Sequence, residues 1–202
     1  MRRKEFEVVD HSRIEEVLRS AQVGYLAFNG PDGWPRVTAL NYVYDGRIVW
    51  HGAMAGERFE CLKKDPRATF FAVSLETYLP SHFLSEENAA AASAAFKSVT
   101  VQGRCRFIED LEEKCTLLNL LMEKYQPEGR YRKLTPEEEM YKKVLRATGV
   151  FTLLPESVTA KFKFAQQKSE DERKQIAARL RERGKPSDLL VADEMMKPLE
   201  HG

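Results

Sequence analysis

The chain is short of cysteine, of net charge and of long apolar runs, and each shortage excludes a class of protein. Its three cysteines, Cys61, Cys105 and Cys115, form no Cys-x-x-Cys pair, so we expect free thiols in a reducing compartment rather than a disulfide framework. The 32 basic residues nearly balance the 31 acidic ones, so no overall charge attracts the chain to nucleic acid or to an anionic membrane. No apolar run in the sequence approaches the roughly 20 residues that cross a bilayer.

Targeting signals and nucleotide-binding loops are missing as well. Residues 1–5, MRRKE, lack the apolar core of a signal peptide, and the final LEHG, residues 199–202, is either native or a cloning remnant. The sequence contains neither G-x-G-x-x-G nor a P-loop, which excludes the ordinary cradles for dinucleotides and triphosphates. No catalytic triad, paired-carboxylate site or metal site is assigned. We expect a cytoplasmic protein whose length supports one core.

Short runs of β-branched and aromatic residues separated by turn signals predict a β-rich domain. The Asp45-Gly46 pair predicts that 35–44 and 47–52 form a hairpin, because both central residues of such a turn need positive φ. About six antiparallel strands with sparse helices indicate a small barrel in a mainly β (α+β) fold, rather than a parallel α/β sheet. The predicted strands cover residues 23–28, 35–44, 47–52, 68–79, 97–110 and 149–164.

Helical periodicity and capping signals place helices between these strands. Ser12 and Glu15 have capping-box spacing at the start of the first helix, and Ser169 and Glu172 have it at the start of the last. An alanine-rich stretch, 86–96, favours a helix by propensity alone. The predicted helices cover residues 12–21, 56–64, 86–96, 111–125, 136–146 and a segment from 169 to about 184.

The segment 50-WHGAMAGERFECLKKDPRATF-70 ends a strand in small residues and then begins a helix. Free backbone N–H groups and the positive end of the helix dipole face one point there, which predicts an anion site. Gly52, Ala53 and Gly56 would let a phosphate approach the main chain closely, and Arg58 in the first turn would add a cation. A solvated surface arginine is the alternative interpretation of Arg58.

A second cation precedes this segment in the chain. Arg36 and Thr38 lie two residues apart on one predicted strand and so project from one face. If that strand pairs with residues 47–52, both side chains reach the same pocket, and two guanidinium groups surround one phosphate.

Three segments together resemble a known family: 36-RVTALNYVY-44, 48-IVWHGAMAGERFECLKKDPRATF-70 and 97-KSVTVQGRCRFIEDLEEK-114. They are similar in order and spacing to the FMN-binding split-barrel superfamily of pyridoxamine 5′-phosphate oxidase-like proteins, with the nitroimidazole-resistance (Nim-type) proteins as the nearest branch. The resemblance covers about residues 2–162. It implies a six-stranded antiparallel split β-barrel over 1–164, a C-terminal helix and tail over 165–202, and a homodimer that binds FMN at its subunit interfaces.

The resemblance also implies which residues hold FMN. Carried over residue by residue, the cofactor-binding positions are Arg36, Val37, Thr38, Trp50, His51, Gly52, Ala53, Gly56, Arg58, Lys97 and Ser98. Within this set, residues 36–38 would line the flavin, residues 50–53 would hold the ring edge and ribityl chain, and Gly56 with Arg58 would take the phosphate. The last two positions would lie near the subunit interface.

The implied function is that of an FMN-dependent oxidoreductase, which takes electrons from a reduced nicotinamide or another donor and reduces a small flat acceptor such as a nitroaromatic. Oxidation of pyridoxamine phosphate is not expected, because a charged helix replaces the Arg-rich C-terminal strand that binds that substrate.

Two alternative functions stay open. One is a non-catalytic flavin- or haem-binding module, a sensor or scavenger, with His51 or His82 as a haem ligand. The other is a flavin-linked transcriptional regulator that contacts DNA through the basic segment 173–185.

Overall fold

A computed structural model describes residues 3–197, so the LEHG segment lies outside the described residues. The described part of the chain contains eight strands and six α-helices. The strands are β1 (Glu7–Val8), β2 (Gly24–Asn29), β3 (Pro35–Leu40), β4 (Val43–Tyr44), β5 (Ile48–Ala53), β6 (Arg67–Leu79), β7 (Ser93–Ile108) and β8 (Thr148–Lys163). The helices are α1 (His11–Ser20), α2 (Glu57–Lys64), α3 (Leu111–Tyr125), α4 (Glu139–Ala147), α5 (Glu170–Arg183) and α6 (Pro186–Met196).

All strands belong to one antiparallel sheet, with the order β3-β2-β6-β7-β8-β5-β4 and with β1 paired to β8. This confirms the predicted mainly β, α+β class with antiparallel pairing. The described residues form eight strands rather than six. The predicted strand 35–44 divides into β3 and β4, and β1, which is only two residues long, was not predicted. No helix within residues 3–197 has both the length and the apolar character needed to span a membrane.

The predicted hairpin is correct only at its tip. Val43 pairs with Val49 and Tyr44 with Ile48, but β3 pairs with β2 and not with β5. The strand breaks before this tip because the backbone N–H of Tyr42 donates to the hydroxyl of Tyr125 in α3 (2.8 Å) instead of to a neighbouring strand. The turn spans three residues, in which the N–H of Asp45 donates to the carbonyl of Arg47 (3.0 Å) and only Gly46 has positive φ (68°).

The predicted helix over 86–96 is wrong. Only a single 3₁₀ turn forms, over Ala89–Ala91, and the rest of the stretch enters β7 at Ser93. The Asn88 side chain accepts the N–H of Ala90 (3.0 Å), which favours a short turn over a helix at that point. Ala95 is fully buried in β7, so tertiary packing outweighs the helical propensity of alanine.

The predicted helix caps are confirmed for α5 but not for α1. α1 is capped by Asp10, whose carboxylate accepts the N–H groups of Ser12 and Arg13, so the predicted Ser12/Glu15 capping box is wrong. The Ser169/Glu172 capping box of α5 is confirmed. α5 ends at Arg183, in agreement with the predicted end at about 184, and Gly184 follows it in the left-handed region; Pro186 then begins a further helix, α6, which was not predicted.

The chain divides into two compact units. The first contains the described residues up to Ala21, then Val73–Val99 and the described residues from Thr159 onward; the second contains Gln22–Ala72 and Thr100–Val158. The boundaries of these units do not coincide with the predicted boundary at 164/165. The predicted division into a domain over 1–164 and a tail over 165–202 stays a prediction.

In the second unit, β5 and β8 carry different residues on their two faces. On one face Val49 and Val150 pack in an apolar cluster with leucines of α3 and α4. On the other, Trp50 stacks on its cross-strand partner Phe151, with ring centroids 5.6 Å apart and planes at 11°. Packing on both faces therefore fixes the middle of β5, just before its exposed end.

Candidate functional site

The site begins where β5 ends and α2 starts. Gly56 is the N-cap of α2 and has φ of 94°, a conformation that residues with a Cβ rarely adopt. The first helical hydrogen bond runs from the N–H of Glu60 to the carbonyl of Gly56 (3.1 Å). The N–H groups of residues 57–59 therefore precede this ladder and give the end of α2 its positive polarity.

Arg58 is the central cation of this region. Its side chain is half-buried, and a Cβ placed on Gly52 would clash with the terminal Nη2 of its guanidinium, so the two residues are in close contact. Among residues 3–197 the Arg58 guanidinium has no hydrogen bond or ion pair to another side chain or carbonyl. Burial lowers the pKa of Arg58, because no carboxylate offsets its loss of water. A half-buried guanidinium without a carboxylate partner favours the binding of an anion, and the small residues around it leave room for one.

Four aromatic side chains pack together between α2 and the sheet and form an aromatic layer: Trp50, Phe59, Phe107 and Phe151. Phe59, next to Arg58, lies 5.0 Å from Phe107, which lies 5.0 Å from Phe151 (centroid to centroid). Trp50 is fully buried beside Phe151, and its indole Nε1 has no hydrogen-bond partner within residues 3–197. Trp50 thus belongs to the core beneath the site, and it helps to fix the position of the helix that carries Arg58.

Arg36 reaches the same helix by a route that was not predicted. Although β3 pairs with β2, the Arg36 guanidinium donates to Glu57, the first residue of α2, with Nη2 to Oε1 at 3.0 Å. It also donates to Asp32 (3.1 Å), and these two carboxylates raise the pKa of Arg36. Sequence reasoning missed both acids; the Pro31-Asp32-Gly33 turn was the available signal for one, and the first helical position was the signal for the other.

The remaining predicted positions in the second unit differ in exposure and direction. Because side chains alternate along a strand, His51 projects from the opposite face of β5 to Gly52 and Arg58, where it is exposed. Val37 likewise projects away from the face of β3 that carries Arg36, with 65 % of its surface exposed. Thr38, Gly52 and Ala53 are half-buried or exposed.

Lys97 and Ser98 fall in the first unit. The Lys97 ammonium is buried and pairs with Glu16 (3.2 Å) and Glu194 (3.1 Å), while the Ser98 hydroxyl donates to the carbonyl of Lys161 (3.3 Å). Lys97 is therefore held by two carboxylates, and contact of either residue with a flavin stays a prediction.

The basic segment of α5 is largely neutralised by acids of its own unit. Arg179 pairs with Glu182 and Arg181 with Asp193, both at 2.9 Å. Arg183 is held by the buried Asp188 at 2.6 Å. Since these guanidinium groups already face carboxylates, the segment presents little free positive charge for a nucleic-acid backbone.

The chain matches one family model. Residues 10–162, well over half of the sequence, match the model of the pyridoxamine 5′-phosphate oxidase family. The chain belongs to this family. Among curated proteins no relative is found.

Solved structures share the fold of this pyridoxamine 5′-phosphate oxidase family member at low sequence identity. A candidate 5-nitroimidazole antibiotic resistance protein from Bacteroides thetaiotaomicron is 21% identical, with a TM-score of 0.64 over 77% of this chain and 85% of that one. The flavocytochrome Anf3 from Azotobacter vinelandii is 22% identical, with a TM-score of 0.66 over 83% and 74%. An FAD- and haem-binding protein from Mycobacterium smegmatis is 20% identical, with a TM-score of 0.66 over 85% and 79%. At these identities the likeness concerns the fold.

Proposed function

We propose that the chain is a flavoprotein that binds FMN with its phosphate at the N-terminus of α2. The observation that carries the proposal is the half-buried Arg58 guanidinium, which lies against Gly52 and has no acidic partner among the described residues. The residues around it fit a phosphate, because Gly52 leaves room for the guanidinium while Ala53, Ala55 and Gly56 are exposed and leave the main chain accessible. Membership of the family and the names of two structural neighbours, a flavocytochrome and an FAD- and haem-binding protein, support a flavin cofactor, and the choice of FMN rests on the phosphate site.

The proposed activity is electron transfer from a reduced nicotinamide or another donor to a small flat acceptor of the nitroaromatic kind. When bound, FMN would supply this redox chemistry, since no side chain of the site is a nucleophile or a paired acid and base. The protein's part is to bind and orient. Arg58 and the first N–H groups of α2 would hold the phosphate, and the aromatic layer of Trp50, Phe151, Phe107 and Phe59 would keep that anchor rigid. The three thiols, all free in the structure, support the proposed cytoplasmic location.

An absorbance spectrum of the purified protein, with mass identification of the released cofactor, tests the proposal. We expect a flavin spectrum, release of FMN, and bleaching by NADH or NADPH under anaerobic conditions, followed by reoxidation with a nitroaromatic. A Soret band without flavin would support the haem-binding alternative instead. FMN that stays bound but is not reduced by any donor would support a sensor or scavenger.

We also propose that two copies of the chain associate through the second unit. Tyr25 on β2 lies between Ala39 on β3 and Phe71 on β6, on the same outward face as Val37. Tyr25, Phe71 and Val37 are 44%, 38% and 65% exposed, which is unusual for neighbouring apolar side chains on one sheet. On β8, residues 154–158 of the same unit are exposed on both faces of the strand. The apolar surface of a second copy would cover Tyr25, Phe71 and Val37.

Sedimentation analysis tests this association. We expect the wild-type chain to sediment as a dimer at micromolar concentration. The variant Tyr25→Asp/Val37→Asp should shift to monomer, because each copy would bring two buried charges into the contact. A monomeric wild-type protein that holds FMN normally would contradict the dimer.

A further inference from the structure

Arg36 already has protein acceptors at every guanidinium nitrogen. Nε donates to Glu57 (3.1 Å), Nη1 to the carbonyl of Trp34 (3.1 Å), and Nη2 to both Glu57 (3.0 Å) and Asp32 (3.1 Å). Four of its five N–H groups are therefore occupied, so a phosphate could accept a pair of hydrogen bonds from Arg36 only if one of these acceptors left. The two arginines therefore differ in their availability to a phosphate in this conformation. Arg36 is paired with two carboxylates, whereas Arg58 has no acidic partner among residues 3–197.

The two acids that hold Arg36 differ in how firmly they are placed. Asp32 belongs to the hairpin turn between β2 and β3, and it also accepts the N–H of Trp34 (3.1 Å). The guanidinium packs closely over Gly30 of the same turn. Glu57 comes from α2, 21 residues along the chain, and its side chain is 49% exposed with Arg36 as its sole hydrogen-bonding partner among the described residues. The Asp32 side chain is no less exposed (53%), but Glu57 accepts from both Nε and Nη2 of Arg36 and takes no part in the turn, so its loss would free an adjacent pair of N–H groups.

We propose that Glu57 is a specificity-determining residue of the phosphate site, acting as an internal anion that competes with the ligand's phosphate for Arg36 and for the N-terminus of α2. The inference rests on the proposed function. The carboxylate occupies the first helical position, where the helix dipole favours a negative charge, so it stands where an incoming phosphate gains most. With Asp32 and Glu57 present, the two arginines are balanced by two acids, and the region has little net attraction for a dianion.

The consequence concerns phosphorylated ligands only. Removing the Glu57 charge should free Arg36 for the phosphate and remove a like-charge repulsion, while a ligand without phosphate gains nothing. For an exposed ion pair and one nearby like charge, the combined effect is about a 5- to 20-fold gain in affinity for FMN.

The test measures dissociation constants of FMN and riboflavin for Glu57→Gln by quenching of flavin fluorescence at low salt. Glu60→Gln is the matched control, because Glu60 lies on the same exposed helix and is absent from the Arg36 network. We expect FMN to bind about 5- to 20-fold more tightly to Glu57→Gln, with riboflavin unchanged and with Glu60→Gln within about twofold of wild type. The gain should shrink when Arg36→Ala is added, because no guanidinium is then left to release.

Equal FMN affinities of Glu57→Gln and Glu60→Gln would overturn the inference, as would a full gain that persists in the Arg36→Ala background. Failure of the proposed function looks different. In that case wild-type protein binds FMN no better than riboflavin, and no charge variant separates the two ligands.

Discussion

Arg58→Ala is expected to weaken FMN binding by about 10- to 100-fold and to leave riboflavin binding unchanged. Hydrogen bonds to a charged group contribute about 1.5–3 kcal/mol each, and a decade of affinity corresponds to about 1.4 kcal/mol. The fold should tolerate the change, because Arg58 forms no ion pair with any residue between 3 and 197 and its removal leaves no carboxylate unpaired. Its burial without a partner means that the charge adds little to the stability of the ligand-free chain.

Fluorescence titration with the two flavins, alongside thermal unfolding, checks this result. Arg58→Lys should keep part of the affinity, since it retains the charge but loses the planar fork. Arg179→Ala removes a guanidinium from the exposed Arg179/Glu182 pair of α5 and serves as a control that should change neither titration. Parallel losses for FMN and riboflavin in Arg58→Ala would contradict a phosphate role.

Gly52→Ala examines the same contact from the opposite side. An added Cβ would meet the Nη2 of Arg58, the end of a flexible side chain, and so would displace the guanidinium rather than the backbone. We expect a selective loss of FMN affinity in the same direction as Arg58→Ala, with little change in unfolding temperature. Full FMN affinity in Gly52→Ala would show that the guanidinium can bind the phosphate from another position.

The part of the site that follows from local sequence was predictable. Gly52, Gly56 and Arg58 lie within seven consecutive positions, so the geometry of one strand end and one helix start brings them together. The partners of Arg36 were not predictable in this way. They depend on β3 pairing with β2 across the Gly30–Gly33 turn, and on α2 lying close enough for Glu57 to reach it. Register between strands is set by the buried face of the whole sheet, which a hairpin signal does not report.

The alanine-rich stretch shows how packing outweighs propensity. Ala89–Ala95 contains residues that favour a helix in isolation, yet alanine is also small enough to fit a buried strand, and Ala95 is fully buried in β7. Propensity differences between good helix formers are only a few tenths of a kcal/mol per residue, less than the gain from burying the phenylalanines and valines that follow in β7. The strand therefore extends backward into the alanines.

The C-terminal helices show a different limit of prediction from sequence. They are stabilised by a buried ion pair, whereas a charged residue is expected on the surface when only the sequence is known. Asp188, near the start of α6, is fully buried; its two oxygens accept from Arg183 at 2.6 and 2.7 Å, and the Thr77 hydroxyl donates to it as well. Arg183 also donates to the carbonyl of Tyr78 (2.9 Å). This network joins α5, α6 and β6 within the first unit.

We expect Asp188→Ala to lower the free energy of unfolding by about 3 kcal/mol, because removing one partner of a buried pair leaves the other charge uncompensated. Arg183 keeps 23% of its side chain exposed, so water offsets part of that cost and places the effect at the low end for such pairs. Asp193→Ala is the matched control on the same helix. Its pair with Arg181 is exposed, and its loss should cost less than about 1 kcal/mol. Urea denaturation at neutral pH measures both variants, and equal stabilities would contradict a structural role for the buried pair.

The same contact predicts a dependence on acid. Hydrogen bonds from Arg183 hold the pKa of Asp188 at about 2, below the ordinary value of 3.8. A carboxyl whose pKa is lowered by folding contributes stability that is fully present above its unfolded pKa and is lost as pH falls through the folded one, so the loss should occur between about pH 4 and pH 2 and amount to about 2 kcal/mol. Asp188→Asn cannot ionise at this position and should lack this component, so its stability relative to wild type should improve as the pH is lowered from 5 to 2.5. If both proteins lost stability in parallel over that range, the acid sensitivity of the fold would have to arise from other carboxylates, and the Arg183/Asp188 pair would not be what holds α6 in place.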